Sequence, residues 1–142
     1  MALPTASAFG AHGLTDNLQK ALIADQRALT IITRENAPIK WATLQNGLGN
    51  TYSEQEENRA ENIEQAICAY QTALQIFTPT EFSIRWAKIQ NNLSTVYAER
   101  IRGDRAENLE QALEAAQQAL KVFTLEDFSV EWSQAQNNLG NA

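Results

Sequence analysis

An eight-residue stretch occurs three times along this chain. Trp41-Ala-Thr-Leu-Gln-Asn-Gly-Leu48 comes back as Trp86-Ala-Lys-Ile-Gln-Asn-Asn-Leu93, and again as Trp132-Ser-Gln-Ala-Gln-Asn-Asn-Leu139. The copies lie 45 and then 46 residues apart, and Asn17-Leu18, Asn62-Ile63 and Asn108-Leu109 keep the same interval. A period of this size means units too small to enclose a core alone. Each must bury its apolar face against its neighbours, which gives a solenoid.

Within the period the apolar residues fall at helical spacing. Helix 1 is expected from about Thr15 to Thr33, with a stripe of Leu18, Ala21, Leu22, Leu29 and Ile32. Pro38 suits the first turn of helix 2, which carries Trp41, Leu44, Leu48 and Tyr52 to about Ser53. After the acidic loop Glu54-Gln-Glu-Glu57, helix 3 carries Ile63, Ala66, Ile67, Tyr70, Leu74 and Phe77, and Thr78-Pro79 ends it. Helix 4 carries Trp86, Ile89, Leu93 and Tyr97, helix 5 Leu109 to Phe123, and helix 6 Trp132, Ala135 and Leu139. Asn58 with Glu61 and Asp104 with Glu107 have capping-box spacing, and Ser83 and Ser129 are candidate caps for helices 4 and 6. Strand patterns are absent, so the fold class is all-α with about six helices.

Composition narrows the function classes. The net charge is −6 and the pI about 4.8. That balance disfavours nucleic acid and anionic membrane as partners, since both select basic surfaces. One cysteine, Cys68, permits no internal disulfide, and one histidine, His12, permits no His-rich metal site. Cys68 is expected to be a buried or half-buried thiol without a redox role. No apolar run reaches membrane-spanning length. Residues 1–13 read as a flexible leader without the charged start of a signal peptide, and the expected compartment is a reducing cytoplasm. No nucleophile with a base partner and no phosphate loop is visible, so the expectation is no enzyme, no cofactor and no metal.

Leu48-Gly49-Asn-Thr-Tyr52 in helix 2 resembles the Leu-Gly-x-x-Tyr core of a tetratricopeptide (TPR) first helix. Ala66, Tyr70 and Ala73-Leu74 in helix 3, and Ala112, Ala116 and Ala119-Leu120 in helix 5, match the second helix. The resemblance runs from about Thr15 to Ala142. The standard unit is about 34 residues, so this one looks like the long-repeat variety of kinesin light chains and of bacterial, notably cyanobacterial, multi-repeat proteins. A HEAT-like solenoid has a similar period. The TPR resemblance implies a right-handed solenoid of antiparallel helix pairs over 14–142. It divides into an unpaired second-type helix (14–36), two repeats (37–80 and 81–126) and an unpaired first-type helix (127–142).

In TPR proteins the first helices line a concave groove. The matching positions here are Thr43, Asn46, Asn50 and Ser53 in helix 2, then Lys88, Asn91, Thr95 and Glu99 in helix 4. Helix 6 supplies Gln134, Asn137 and Asn141. Asn46, Asn91 and Asn137 would form an amide ladder able to hold the backbone of an extended peptide, since each amide both donates and accepts. The same asparagines could instead fix repeat stacking, and Asn92 and Asn138 lie one position off the ladder. Lys88 is the only cation expected in the central groove, with Arg85 near its rim. The implied function is a protein-interaction scaffold for a peptide or partner segment. Trp41, Trp86 and Trp132 are expected to pack between repeats.

A second expectation concerns the outermost helices. Helix 1 lacks a first-type partner and helix 6 a second-type one, so Trp132 and Leu139 should be exposed. These two, with Leu18, Leu22, Asp25 and Leu29 on helix 1, could join copies head to tail as a self-assembly module. Asp25, standing where Tyr70 and Ala116 stand, argues against that junction, because an unpaired carboxylate resists burial.

Overall fold

A computed structural model describes residues 6–141, with side chains over 16–140. It contains six helices: α1 (Ala6–Ala28), α2 (Pro38–Glu54), α3 (Arg59–Ala73), α4 (Ser83–Glu99), α5 (Arg105–Leu120) and α6 (Ser129–Asn141). No strand occurs among the described residues. The most extensive contacts join α2 to α3 and α4 to α5. Smaller ones join α1 to α2, α3 to α4 and α5 to α6, and further ones join α2 to α4 and α4 to α6. Among the described residues no helix packs on another more than two places away along the chain.

The sequence period is repeated in the bonds. One turn precedes each of α2, α4 and α6: the amides of Ala37, Phe82 and Phe128 donate to the carbonyls of Thr33, Thr78 and Thr124 at 3.0, 2.9 and 2.9 Å. Phe82 and Phe128 fold back on Phe77 and Phe123, each pair with ring centroids 5.2 Å apart. Phe77 and Phe123 are fully buried. At the other ends, Asn62 Nδ2 donates to the Glu57 carbonyl at 2.7 Å and Asn108 Nδ2 to the Arg102 carbonyl at 2.9 Å. These asparagines tie each connecting loop to the helix it leads into. Arg59 and Arg105 reach back to the carbonyls of Ser53 and Ala98 at the ends of α2 and α4, where cations suit the helix dipole.

The main core joins Ile63, Ala66, Tyr70, Ala73 and Phe77 of α3 and its exit to Ala42, Ile89, Leu93 and Val96. A second cluster holds Ala87, Ala119, Phe123 and Ala135, and a smaller one Leu22, Leu48 and Ala69. Alanine at 42, 66, 73, 87, 112, 116, 119 and 135, all sealed from solvent, lets helices approach closely.

Several local expectations are corrected. α1 starts at Ala6, not Thr15, so residues 6–13 are helical backbone; residues 1–5 of the expected leader lie outside the described set. α1 ends at Ala28, and tight turns through Thr30 and Ile31 replace its last turn. Ser83 and Ser129 are first helical residues, not caps. Phe82 holds the cap position of α4, fixed there by its contact with Phe77. Asp104 does cap α5, accepting from the Glu107 amide at 3.0 Å. Asn58 makes no side-chain cap, because its backbone is left-handed (φ 50°) and turns the chain into α3. Cys68 is exposed on α3. Trp132 and Leu139 are half-buried rather than exposed, held by α6 packing on α4 and α5.

Candidate functional site

Helices α2, α4 and α6 each turn one face toward a shared trough. In α4 this face carries Ile84, Lys88, Asn91 and Thr95, at the i, i+4, i+7 spacing of one helical stripe. A cavity of about 250 Å³ is lined by Asn46 and Asn50 of α2, by Lys88, Asn91 and Asn92 of α4, and by Val130, Glu131 and Gln134 of α6. A second, of about 230 Å³, continues the trough past Ser53, Arg59, Thr95 and Glu99.

The asparagines divide by their bonds. Asn50 Oδ1 accepts from the Tyr70 hydroxyl at 2.7 Å and from Asn92 Nδ2 at 3.2 Å. Asn138 Nδ2 donates to the Asn91 carbonyl at 3.3 Å, and its Oδ1 accepts from the Thr95 hydroxyl at 3.5 Å. Asn50, Thr95, Asn92 and Asn138 therefore link successive helices of the trough. Asn46 and Asn91 differ. Asn91 is 2% exposed, and its Nδ2 donates to the Glu131 carbonyl at 3.2 Å. Its Oδ1, like that of Asn46, is buried without a hydrogen-bond partner. A buried acceptor left unsatisfied costs about 1–3 kcal/mol, so two at matching repeat positions call for a reason.

The other expected trough residues lie as follows. Lys88 and Asn137 are exposed, and the Asn141 side chain lies outside the described residues. Lys88 is not the only cation: Arg59 lines the second cavity. Arg59 is committed to an ion pair with Glu99. Arg85 is drawn to the Phe77 ring, 5.1 Å from its centroid.

The expected end residues keep their own company. Leu22 is buried against Leu48 and Ala69 with Leu29 beside it, so both already serve the joint between α1 and the next helices. Leu18 is half-buried. Asp25 lies against α2, where a Cβ on Gly47 would be 3.5 Å from its Oδ2; other repeats carry Asn92 and Asn138 at that position. Partial burial raises the Asp25 pKa.

Two features escaped the sequence reading. The first is the apolar head of the trough face. Ile39, Ile84 and Val130 share one repeat position and are 46%, 43% and 75% exposed. The signal was there, one turn upstream of Thr43, Lys88 and Gln134, but Trp41 and its equivalents drew the helix stripe onto the opposite face. The second is a pair of crevices on that opposite side. One, of about 380 Å³, has Trp86, Leu93 and Tyr97 with Gln71, Gln90 and Gln118; the other, of about 470 Å³, has Trp41 and Gln45 in matching places. Gln71 Nε2 donates to the Tyr97 hydroxyl at 2.9 Å, and Gln26 to Tyr52 at 3.5 Å, so this bond also follows the repeat.

No family model, no curated protein and no solved structure matches the chain. Among the described residues no cluster of metal-ligating side chains occurs, and no helix is long and apolar enough to cross a membrane. Chemically, the trough offers amides, one free ammonium and a row of aliphatic side chains.

Proposed function

We propose that this chain is a TPR-like right-handed solenoid of antiparallel helix pairs that works as a non-enzymatic interaction scaffold. It holds an extended peptide or partner segment along the face of α2, α4 and α6 and uses no cofactor. The observation that carries the reading is the matched pair of buried, unpartnered Oδ1 atoms on Asn46 and Asn91. A peptide backbone N–H supplies the missing donor at each, after a rotation of the amide opens it to the cavity. Asn50, Asn92 and Asn138 are already bonded between helices and set the spacing of the two sites. The test is selection from a displayed peptide library, with affinities remeasured on Asn46→Ala and Asn91→Ala. Affinity unchanged in both folded variants would sink the reading.

A second reading, head-to-tail self-assembly, draws on different positions. Ala21 is exposed where Ala66 and Ala112 are sealed, and Leu139 is half-buried where Leu48 and Leu93 are 6% and 4% exposed. Ala21 of α1 and Leu139 of α6 stand at the repeat positions of Ala66 of α3 and Leu48 of α2, two helices that pack closely on each other. Light scattering across a dilution series decides it. Mass that rises with concentration, and does not in Ala21→Arg, supports assembly; a constant monomer mass removes it.

A further inference from the structure

Three of the seven large apolar side chains exposed on the described surface occupy a single repeat position: Ile39, Ile84 and Val130. Nothing in the three core clusters uses them. Scattered exposed aliphatics need no explanation, but a row of them rimmed by polar groups marks a contact surface. This row heads the trough, and Val130 lines the 250 Å³ cavity together with Asn46, Asn91 and Lys88.

We infer that the row of Ile39, Ile84 and Val130, with Lys88, selects a polyproline II segment bearing an aliphatic side chain at every third residue and acidic residues between. The inference rests on the trough reading and adds the partner's chemistry to it. The spacing decides the conformation. The side chains of α2 and α4 meet at 3.2 Å through Asn50 and Asn92, and α6 meets α4 at 3.3 Å through Asn138. Helices bridged by such amide bonds lie on the order of 10 Å apart. A polyproline II chain repeats its face every three residues, about 9.3 Å. A β-strand repeats every two, about 6.7 Å, and slips out of register by the second ridge. Charge gives the rest. Lys40 adjoins Ile39 and Lys88 lies one turn beyond Ile84; both are exposed, and neither is ion-paired among the described residues, whereas Glu131 adjoins Val130, so the acidic residues of the segment fall between Ile39 and Ile84.

Two labelled peptides test it by fluorescence anisotropy. One is built of repeated Val-Glu-Pro triplets; the other has the same composition, reordered so that no two Val lie three apart. The expected result is binding of the first at least about tenfold tighter than the second, the equivalent of about 1.4 kcal/mol. Ile84→Ser and Lys88→Glu should each erase most of that preference. Both positions are exposed, and helical circular dichroism checks that the variants fold. Equal binding of the two peptides overturns the inference. So does indifference to Ile84→Ser. If library-selected peptides bind in an Asn91-dependent way while neither triplet peptide does, the inference falls and the trough reading stands. If selected peptides also ignore Asn46→Ala and Asn91→Ala, both fall. Self-association abolished by Ile84→Ser would show that a second copy occupies the row, and would also overturn the inference.

Discussion

Gly49 and Tyr70 compete for one volume. A Cβ on Gly49 would lie 2.5 Å from Cε1 and 2.6 Å from Cδ1 of Tyr70, and Tyr70 itself is 1% exposed. The ring therefore lies where any other residue of α2 would put its side chain. Gly49→Ala is expected to destabilise the fold by about 2–3 kcal/mol, the range for overpacking a dense core. Urea denaturation measures it. Restoring most of the loss with Tyr70→Leu in the same chain would locate the clash; no restoration would show that the cost lies elsewhere.

Tyr70 also sets an alkaline limit. Burial pushes its hydroxyl pKa up to about 12, from an ordinary value of 10.0. The unfolded chain releases this proton first, so stability is full below about pH 10 and falls as pH rises toward 12. Two units correspond to about 2.7 kcal/mol. Tyr70→Phe removes the hydroxyl bond to Asn50 and should flatten the curve over this window, at a cost of about 1 kcal/mol near neutrality. A melting series from pH 8 to 12 compares the two proteins.

The asparagines should separate into two kinds when changed to alanine. Asn108 holds its loop through the Arg102 carbonyl and accepts from Arg100 at 3.2 Å while 3% exposed. Its loss is expected to cost about 1–3 kcal/mol. Asn46→Ala removes an unsatisfied acceptor and should cost less than about 1 kcal/mol while weakening peptide binding. Thermal melts and anisotropy on the same samples give both numbers.

Asn58 and Asp104 begin α3 and α5 at equivalent places but by different means. Asp104→Ala should lose about 1 kcal/mol with its cap bond. Asn58→Gly should be neutral or stabilising by a few tenths of a kcal/mol, since glycine adopts positive φ without strain. Chemical denaturation of both variants distinguishes the roles.

The joint between the repeats has its own anchor. Arg100 grips Glu64 through two bonds, at 2.8 and 3.0 Å, with both side chains less than a third exposed. A double-mutant cycle on Arg100→Ala and Glu64→Ala should give a coupling of about 1 kcal/mol, at the upper end for partly exposed pairs, and smaller in high salt.

The period, the six helices and the stripe from Ile63 to Phe77 were legible because burial imposes spacing on sequence. Caps were less so. Serine at 83 and 129 looks like a cap by type. The neighbouring Phe82 and Phe128 win the turn, because closing on Phe77 and Phe123 buries more surface than one cap bond returns. The trough asparagines were found by position, but sequence could not say which were already bonded to a neighbouring helix. Asn91 and Asn92 are adjacent letters with opposite commitments, set by which way each amide turns. Ile39, Ile84 and Val130 went unread because an exposed aliphatic has the same signature as a buried one.

The hydrogen bonds that follow the repeat run in two lines. Asn92 to Asn50 and Asn138 to α4 lie along the trough, while Gln26 to Tyr52 and Gln71 to Tyr97 lie along the other side. Between the lines the helices meet through a core of alanines and large apolar side chains together. Mechanically this is a leaf spring strapped on both edges. Bending it either way stretches one line of straps while the other slackens, and a stretched strap can trade its partner for water at little cost. A pull along the line of helices is then expected to change the curvature at the strapped joints before any helix pair comes apart.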